Sequence, residues 1–168
     1  MSKSTLPRLK ALRDEMGKAG ITAFIIPGTD PHQSEYYASH WAARTWISGF
    51  DGSAGTAVVT TNQAGLWTDS RYFLQAAQQL EDSGFELFKE GLPDTPTIEQ
   101  WLLTTLPQGA TIAIDGTLFG ASKAAAMKQN FESHGFRFVS DFTPFDSIWE
   151  KRPSIPKNEA SIHDEKYR

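Results

Sequence analysis

The chain has 168 residues, of which 39% are hydrophobic and 11 are phenylalanine, so it can build one sizeable core but hardly a second domain. Its formal net charge of −4 argues against nucleic-acid binding, which needs a basic patch. The sequence has no cysteine, which excludes disulfides and thiol chemistry and fits a reducing cytosol. Residues 1–7 lack the apolar run of a signal peptide, and no apolar stretch approaches the roughly 20 residues of a membrane span. We therefore expect a cytoplasmic protein with no membrane partner.

The first part of the chain predicts a helix followed by a buried strand. Ser4 or Thr5 can cap the helix, and four apolar residues recur at helical steps: Leu6, Leu9, Leu12 and Met16. Residues 21–26 are short, β-branched and aromatic, which is typical of a buried strand. Residues 28–55 hold polar and aromatic side chains without a clean period, so we expect irregular structure there.

The middle of the chain predicts a hairpin and then a helix. Strands are expected over residues 56–60 and 66–68, joined by a turn over residues 62–65. Asp69 or Ser70 can cap the helix that follows. The sheet should therefore contain an antiparallel pair.

The second half alternates strands with helices. Strands are predicted over residues 85–89, 111–115 and 136–139, and helices after the Thr97 cap, over residues 122–133 and over residues 145–149. This order predicts an α/β fold with a mixed β-sheet flanked by helices. We place the domain at residues 1–153. We interpret residues 154–168 as a linker toward a further domain, because Pro153 and Pro156 stand among polar residues at its start.

The histidines do not form a convincing metal site. His32 and Glu35 would share one face only if their segment were helical, and no third ligand lies near them. The other histidines are His40, His134 and His163. We expect structural roles for them, and we assign no metal ligand in this chain.

The glycine-rich segment around Ser53 does not predict a nucleophile. It precedes a strand, whereas the nucleophile elbow joins a strand to a helix, and the glycine spacing does not fit dinucleotide binding. We expect the glycines to permit tight turns and Asp51 to cap its own backbone. No catalytic residue is assigned.

Four side chains are candidates for a substrate cleft or an interface. Arg44 lies between Trp41 and Trp46 in the sequence. It either stacks on aromatic rings within the domain or is an exposed anchor residue at an interface. Trp67 and Arg71 stand at a strand-to-helix junction, where Asp69 can pair with Arg71. For this second pair we favour a structural role over contact with a partner domain.

Five sequence blocks together resemble the first domain of the cytosolic three-domain aminopeptidase P family. They are HQSEY at residues 32–36, SGFDGSAGTA at 48–57, WTDSRYFLQA at 67–76, IIP at 25–27 and DSIWEKRP at 146–153. Their order and approximate spacing agree, and the likeness covers about residues 5–155. Any one block alone is a much weaker signal.

The resemblance implies a creatinase/prolidase N-terminal domain-like fold and a non-catalytic role in a metallohydrolase. The family removes an N-terminal residue that precedes proline, with two manganese ions in a downstream catalytic domain that activate a water molecule. The first domain would shape the cleft and assist assembly, so the partners are its own downstream domains and a peptide with proline second. Family members are commonly dimers. No ligand of the metal ions maps onto this chain.

Two other functions compete with this interpretation. Histone-chaperone subunits carry a related peptidase-like domain that binds proteins without catalysis, but the close motif match and the absence of long acidic tracts favour the peptidase. Prolidase and creatinase share the fold, and the blocks at residues 49–55 and 67–72 favour aminopeptidase P over both.

Overall fold

The computed structural model describes residues 5–159 together with residues 162 and 166. Six helices and six strands occur in these residues. The helices are α1 (Thr5–Lys18), α2 (Ala43–Ser48), α3 (Phe73–Gln79), α4 (Ile98–Thr105), α5 (Ala121–Ser133) and α6 (Phe145–Ile148). The strands are β1 (Ala23–Pro27), β2 (Thr56–Thr60), β3 (Ala64–Thr68), β4 (Glu86–Lys89), β5 (Thr111–Ile114) and β6 (Arg137–Val139).

The strands form one mixed sheet in the order β4-β3-β2-β1-β5-β6. β2 pairs antiparallel with both of its neighbours, and the remaining pairs are parallel. Within residues 5–159, five strands therefore end at the same edge of the sheet, which we call the carboxyl edge. β2 begins at this edge, so the segment that leads into it lies there as well.

Helices cover both faces of the sheet. One core packs α1, α2, α3 and α6 against alternate strand residues such as Phe24, Val59 and Leu66. The other packs α4 and α5 against the opposite set, which includes Ile25, Val58 and Trp67. β1 is buried on both faces because its neighbouring residues belong to different cores. The predicted α/β class with a mixed, helix-flanked sheet is confirmed, and no helix among the described residues is long and apolar enough to cross a bilayer.

The structure corrects two expectations about the first helix. Leu6 is 54% exposed, because the buried face of α1 runs through Thr5, Leu9, Leu12 and Met16. Thr5 does not cap the helix: it lies within α1, and its hydroxyl donates to the Ser83 carbonyl (2.9 Å). Ser4, the other cap candidate, lies outside the described residues, as does His163.

Residues 28–55 are less irregular than expected. They contain a 3-10 turn (Ser39–Trp41) and α2, which ends at Gly49 in the left-handed conformation (φ 82°). α2 has only six residues and includes β-branched and aromatic side chains. Neither the spacing of its apolar residues nor its helix propensity therefore predicts a helix there. The predicted turn of the hairpin is also shorter than expected, because β3 already begins at Ala64.

Candidate functional site

The carboxyl edge brings together polar side chains from three segments of the chain. The segment after β1 brings Tyr37, the segment before β2 brings Ser53, and the turn after β3 brings Asp69, Arg71 and Tyr72. In open α/β sheets, ligands bind outside the carboxyl ends of the strands. This edge is therefore the candidate functional face of the domain.

Arg44 is the buried centre of this edge. It is 1% exposed, and its Nη2 donates to the Gly52 carbonyl and to the Tyr37 hydroxyl (3.4 Å). Nη1 donates to the Gly55 carbonyl (3.4 Å), and the guanidinium lies 5.1 Å from the centre of the Phe50 ring. One side chain thus joins the segment after β1 to the segment before β2.

No carboxylate in the described part of the chain pairs with the charge of Arg44. None of the ion pairs found among residues 5–159 involves it, and its Nε has no hydrogen-bond partner in that part of the chain. Burial lowers the pKa of the guanidinium from its ordinary value, although an arginine stays protonated. Carbonyl dipoles and an aromatic face compensate the charge, so the contacts of Arg44 among residues 5–159 lie within the domain.

Ser53 and Tyr72 form a hydrogen bond at the carboxyl edge. The two hydroxyl groups lie 2.7 Å apart, and this hydrogen bond is the main reason why the pKa of the Tyr72 phenol falls below its ordinary value. The Tyr72 ring also packs edge-on against Phe50, with ring centres 5.8 Å apart. The Ser53–Tyr72 hydrogen bond therefore joins the segment before β2 to the turn after β3.

Asp51 does not cap its own backbone, which corrects the sequence expectation. Its Oδ1 accepts hydrogen bonds from the side-chain amides of Gln75 and Gln79, both at 2.7 Å, and its backbone N–H donates to Gln79 Oε1 (3.2 Å). These bonds tie the glycine-rich segment to α3. The partners lie 24 and 28 residues later, beyond any local pattern.

Asp69 and Arg71 form an exposed ion pair at the same edge. Arg71 donates Nε to Oδ1 (3.0 Å) and Nη2 to Oδ2 (2.8 Å), and its backbone N–H also donates to Oδ1 (3.0 Å). The pair holds the pKa of Asp69 below, and that of Arg71 above, its ordinary value. The Arg71 side chain keeps 61% of its surface exposed. Of the four candidates, it is the one that presents charge to the outside.

Trp67 and Trp46 pack against other aromatic rings of the domain. Trp67 is 2% exposed and stacks on Phe88 on the other face of the sheet, with ring centres 4.0 Å apart; its Nε1 donates to the Pro96 carbonyl (2.8 Å). Trp46 is half-buried, stacks on Trp149 (5.2 Å) and receives the Arg8 guanidinium on its ring (4.9 Å). The structure brings Arg44 and Arg71 to one edge, and a role of the two tryptophans in a cleft or interface stays a prediction.

No metal-binding group occurs in the described part of the chain. No set of three His, Asp or Glu side chains there is placed to hold an ion. His32 and Glu35 lie in a non-helical loop, where Asp30 accepts the backbone N–H groups of His32 (2.9 Å) and Ser34 (3.0 Å). The residues present do not fit a metal centre, so no chemical step through a metal is assigned to this domain.

Tyr37 and Tyr72 are the edge residues that sequence reasoning missed. Tyr72 follows Arg71 directly and lies in the WTDSRYFLQA block. The sequence therefore indicates that this block is important, but it does not predict the role of Tyr72. Tyr37 carries no such signal, because its contact with Arg44 depends on the fold of the whole segment after β1.

The comparison with known proteins defines the class of this domain. The family model described as the Creatinase/Prolidase N-terminal domain matches residues 8–151. The chain belongs to this family. An isolated domain of the same fold has been crystallised: the N-terminal domain of the cytoplasmic peptidase PepQ from Mycobacterium tuberculosis has a TM-score of 0.61, with 22% identity over 84% of this chain and 98% of that one.

Within the family, the chain is similar to aminopeptidases P, as the sequence blocks predicted. It is 44% identical over 165 residues to aminopeptidase P2 of Arabidopsis thaliana, covering 96% of this chain and 23% of that protein. The X-prolyl aminopeptidase of Caenorhabditis elegans, described as a cytosolic enzyme with a di-nuclear active site, superposes with a TM-score of 0.85 at 33% identity, covering 92% of this chain and 27% of that one. The chain thus spans about a quarter of the length of these relatives.

Proposed function

We propose that this chain serves as the non-catalytic N-terminal domain of a metal-dependent aminopeptidase that removes an N-terminal residue preceding proline. One observation carries the proposal: nearly the whole chain is 44% identical to an aminopeptidase P, yet it spans only 23% of that protein. The relatives described above are peptidases, which gives no support to the alternative of a protein-binding module without catalysis.

The carboxyl edge is the face that we assign to the active-site cleft. It carries the exposed Asp69–Arg71 pair, and Tyr36 in the neighbouring segment is 82% exposed. Arg44 supports this face from inside, while Trp46 and Trp67 stabilise the helices and strands behind it. The domain would contribute a wall that restricts the site to peptides, and it would not supply a catalytic group.

Cofactor, assembly and compartment follow from the same proposal. The two metal ions would be manganese, held by the downstream catalytic domain, and the protein would act in the cytosol as a dimer. The di-nuclear site and the cytosolic description of the Caenorhabditis elegans relative support the metal count and the compartment.

The direct test compares the full-length protein with the 168-residue chain on peptides that carry proline or alanine at the second position. We expect the full-length protein to release the first residue only before proline, to lose this activity after chelation and to recover it with manganese. The 168-residue chain should be inactive. Cleavage by the 168-residue chain, or no cleavage before proline by the metal-loaded full-length protein, would contradict the proposal.

The role of the edge is tested by Arg71→Ala in the full-length protein. We expect kcat/KM to fall by about tenfold with little change in Tm, because the exposed pair contributes little to stability. Arg137→Ala, an exposed arginine on β6, is the matched control and should leave kcat/KM unchanged. If both variants have the same kcat/KM, the assignment of Arg71 to the active-site cleft is wrong.

A further inference from the structure

The DSIWEKRP block at residues 146–153 has a structural role that the proposed function does not use. It comprises most of α6 and the five residues after it, and we call residues 145–153 the exit clasp. Its Trp149 ring stacks on Trp46 of α2, with ring centres 5.2 Å apart and planes 19° from parallel. The end of the domain is thereby packed against the segment that follows β1.

Arg152 and His40 hold the last part of the exit clasp. Arg152 donates Nε to the His40 carbonyl (3.1 Å) and Nη1 to Asp146 Oδ1 (2.6 Å), and only 18% of its side chain is exposed. His40 Nδ1 lies 2.7 Å from the Pro153 carbonyl. A carbonyl can only accept, so Nδ1 carries the proton and donates. The His40 carbonyl therefore accepts a hydrogen bond from Arg152, and the His40 imidazole donates one to Pro153.

The exit clasp lies at the carboxyl edge. A small cavity at this edge is lined by Pro27 at the end of β1, Asp115 just after β5, Trp41 and Arg152. The burial of the chain changes after Pro153: Arg152 and Pro153 are half-buried, whereas residues 154–159 are all exposed. The polypeptide thus leaves the domain beside the face that carries Asp69 and Arg71, and within residues 5–159 the His40–Pro153 hydrogen bond precedes the exposed residues 154–159.

We propose that His40 and Arg152 are positioning residues that fix where and in which direction the chain leaves the domain, and so set how the next domain meets the carboxyl edge. This inference rests on the proposed function, in which a catalytic domain follows. A flexible linker spreads its far end over a distance that grows with the number of free residues. Fixing the chain up to Pro153 shortens the free linker and raises the effective concentration of the following domain at this edge.

The first experiment uses the 168-residue chain and needs no enzymatic activity. Amide exchange is measured at Arg152, whose N–H donates to the Trp149 carbonyl (2.9 Å). We expect His40→Leu and Arg152→Gln to speed this exchange by about fivefold or more, which is the effect of losing one net hydrogen bond. His40→Asn should restore protection, because the asparagine amide can donate from a position close to that of Nδ1. Lys151→Ala, an exposed neighbour, is the control and should exchange like the unaltered chain.

The second experiment uses the full-length protein, with the distance between dyes on the first and second domains measured alongside kcat and KM. We expect His40→Leu to broaden the distance distribution and to lower kcat/KM by about threefold or more at unchanged Tm, and His40→Asn to reverse both changes. Unchanged exchange in the first experiment, or an unchanged distance distribution in the second, would overturn the proposal. An absence of cleavage before proline in the unaltered protein would instead reject the proposed function, while both structural readouts would still decide the role of the exit clasp.

Discussion

The guanidinium of Arg44 lies where the side chain of any other residue at position 28 would begin. A Cβ built on Gly28 comes within 2.8 Å of Arg44 Cζ and within 3.0 Å of its Nε and Nη1. The backbone of Gly28 is not in the left-handed region, so the requirement for glycine comes from this close approach alone. Gly55 is constrained differently: its φ of 151° favours glycine, and its Cβ would lie 2.9 Å from the Trp67 carbonyl oxygen as well as 3.1 Å from Arg44 Nη1.

Gly28→Ala should therefore destabilise the domain by about 1–3 kcal/mol, the usual cost of overpacking a filled site. Denaturant unfolding of the 168-residue chain measures this loss. Gly17→Ala is the control: nothing lies within 4 Å of its added Cβ, and Gly17 is helical, so it should gain about 0.5–1 kcal/mol. In an Arg44→Met background, Gly28→Ala should lower the free energy of unfolding by less, because the guanidinium atoms that the new Cβ would contact are absent. An unchanged cost in that background would mean that Arg44 does not fill the site.

Trp67 should be among the residues most important for stability, since it is 2% exposed and packs against Phe88 and Trp101. Trp67→Ala should cost about 3–5 kcal/mol because it opens a large cavity. Trp67→Phe should cost less, with about 1 kcal/mol coming from the lost hydrogen bond to the Pro96 carbonyl. Leu74→Ala, at a position 84% exposed, should stay within about 0.5 kcal/mol of the unaltered chain. Equal losses for the alanine and phenylalanine variants of Trp67 would contradict the packing argument.

The Asp69–Arg71 pair should be visible in the acid titration of the domain. Arg71 lowers the pKa of Asp69 in the folded state, so the pair contributes stability above the unfolded value of about 3.9. This contribution is lost as the pH falls through the lower folded value. Because the pair is largely exposed, the effect on unfolding is small and weakens further with salt.

Carboxyl-carbon NMR of Asp69 against pH provides the measurement. Arg71→Ala should raise the pKa of Asp69 part of the way to its ordinary value, because the backbone N–H of residue 71 still donates to Oδ1. Arg137→Ala should leave the titration unchanged. If Arg71→Ala leaves the Asp69 titration curve in place, the ion pair is absent in solution.

The start of α4 offers a purely local test. Thr97 accepts the backbone N–H of Gln100, and the Gln100 side chain accepts the backbone N–H of Thr97, which together form a capping box. Thr97→Ala should cost about 1 kcal/mol in a thermal or denaturant melt. Thr104→Ala, on the exposed surface of the same helix, should be neutral or slightly stabilising since alanine favours helix more than threonine does. A loss at Thr104 as large as that at Thr97 would point to general helix fraying.

Local chemistry explains which parts of the fold the sequence predicts well. The Thr97 cap and strand β2 over Thr56–Thr60 depend on neighbouring residues, and the structure confirms both. Asp69 also acts as a cap, but of the 3-10 turn Ser70–Tyr72 that precedes α3 and not of α3 itself. The structure also confirms the Asp69–Arg71 pair, whose members are two residues apart. The mixed sheet followed from the antiparallel hairpin combined with alternating strands and helices.

Long-range contacts explain what the sequence does not predict. The pattern around Arg44 could not distinguish burial from exposure, because its partners at Gly28, Tyr37, Gly52 and Gly55 come together only in the folded sheet. Asp51 was assigned to its own backbone because glutamines more than 20 residues away give no local signal. The exit clasp was visible as a sequence block, but its partner His40 lies 113 residues before Pro153.

The strand order has a consequence for how this domain is made. β1 is apolar on both faces, and β5 at Thr111–Ile114 covers one of its edges. On the ribosome, β1, β2 and β3 are complete long before β5 emerges, so the edge of a hydrophobic central strand stays open during that interval. Such an edge is a template for pairing with another chain. We therefore expect truncated forms that end before residue 111 to aggregate, and chaperones that shield nascent strands to matter most for this domain between the synthesis of β1 and that of β5.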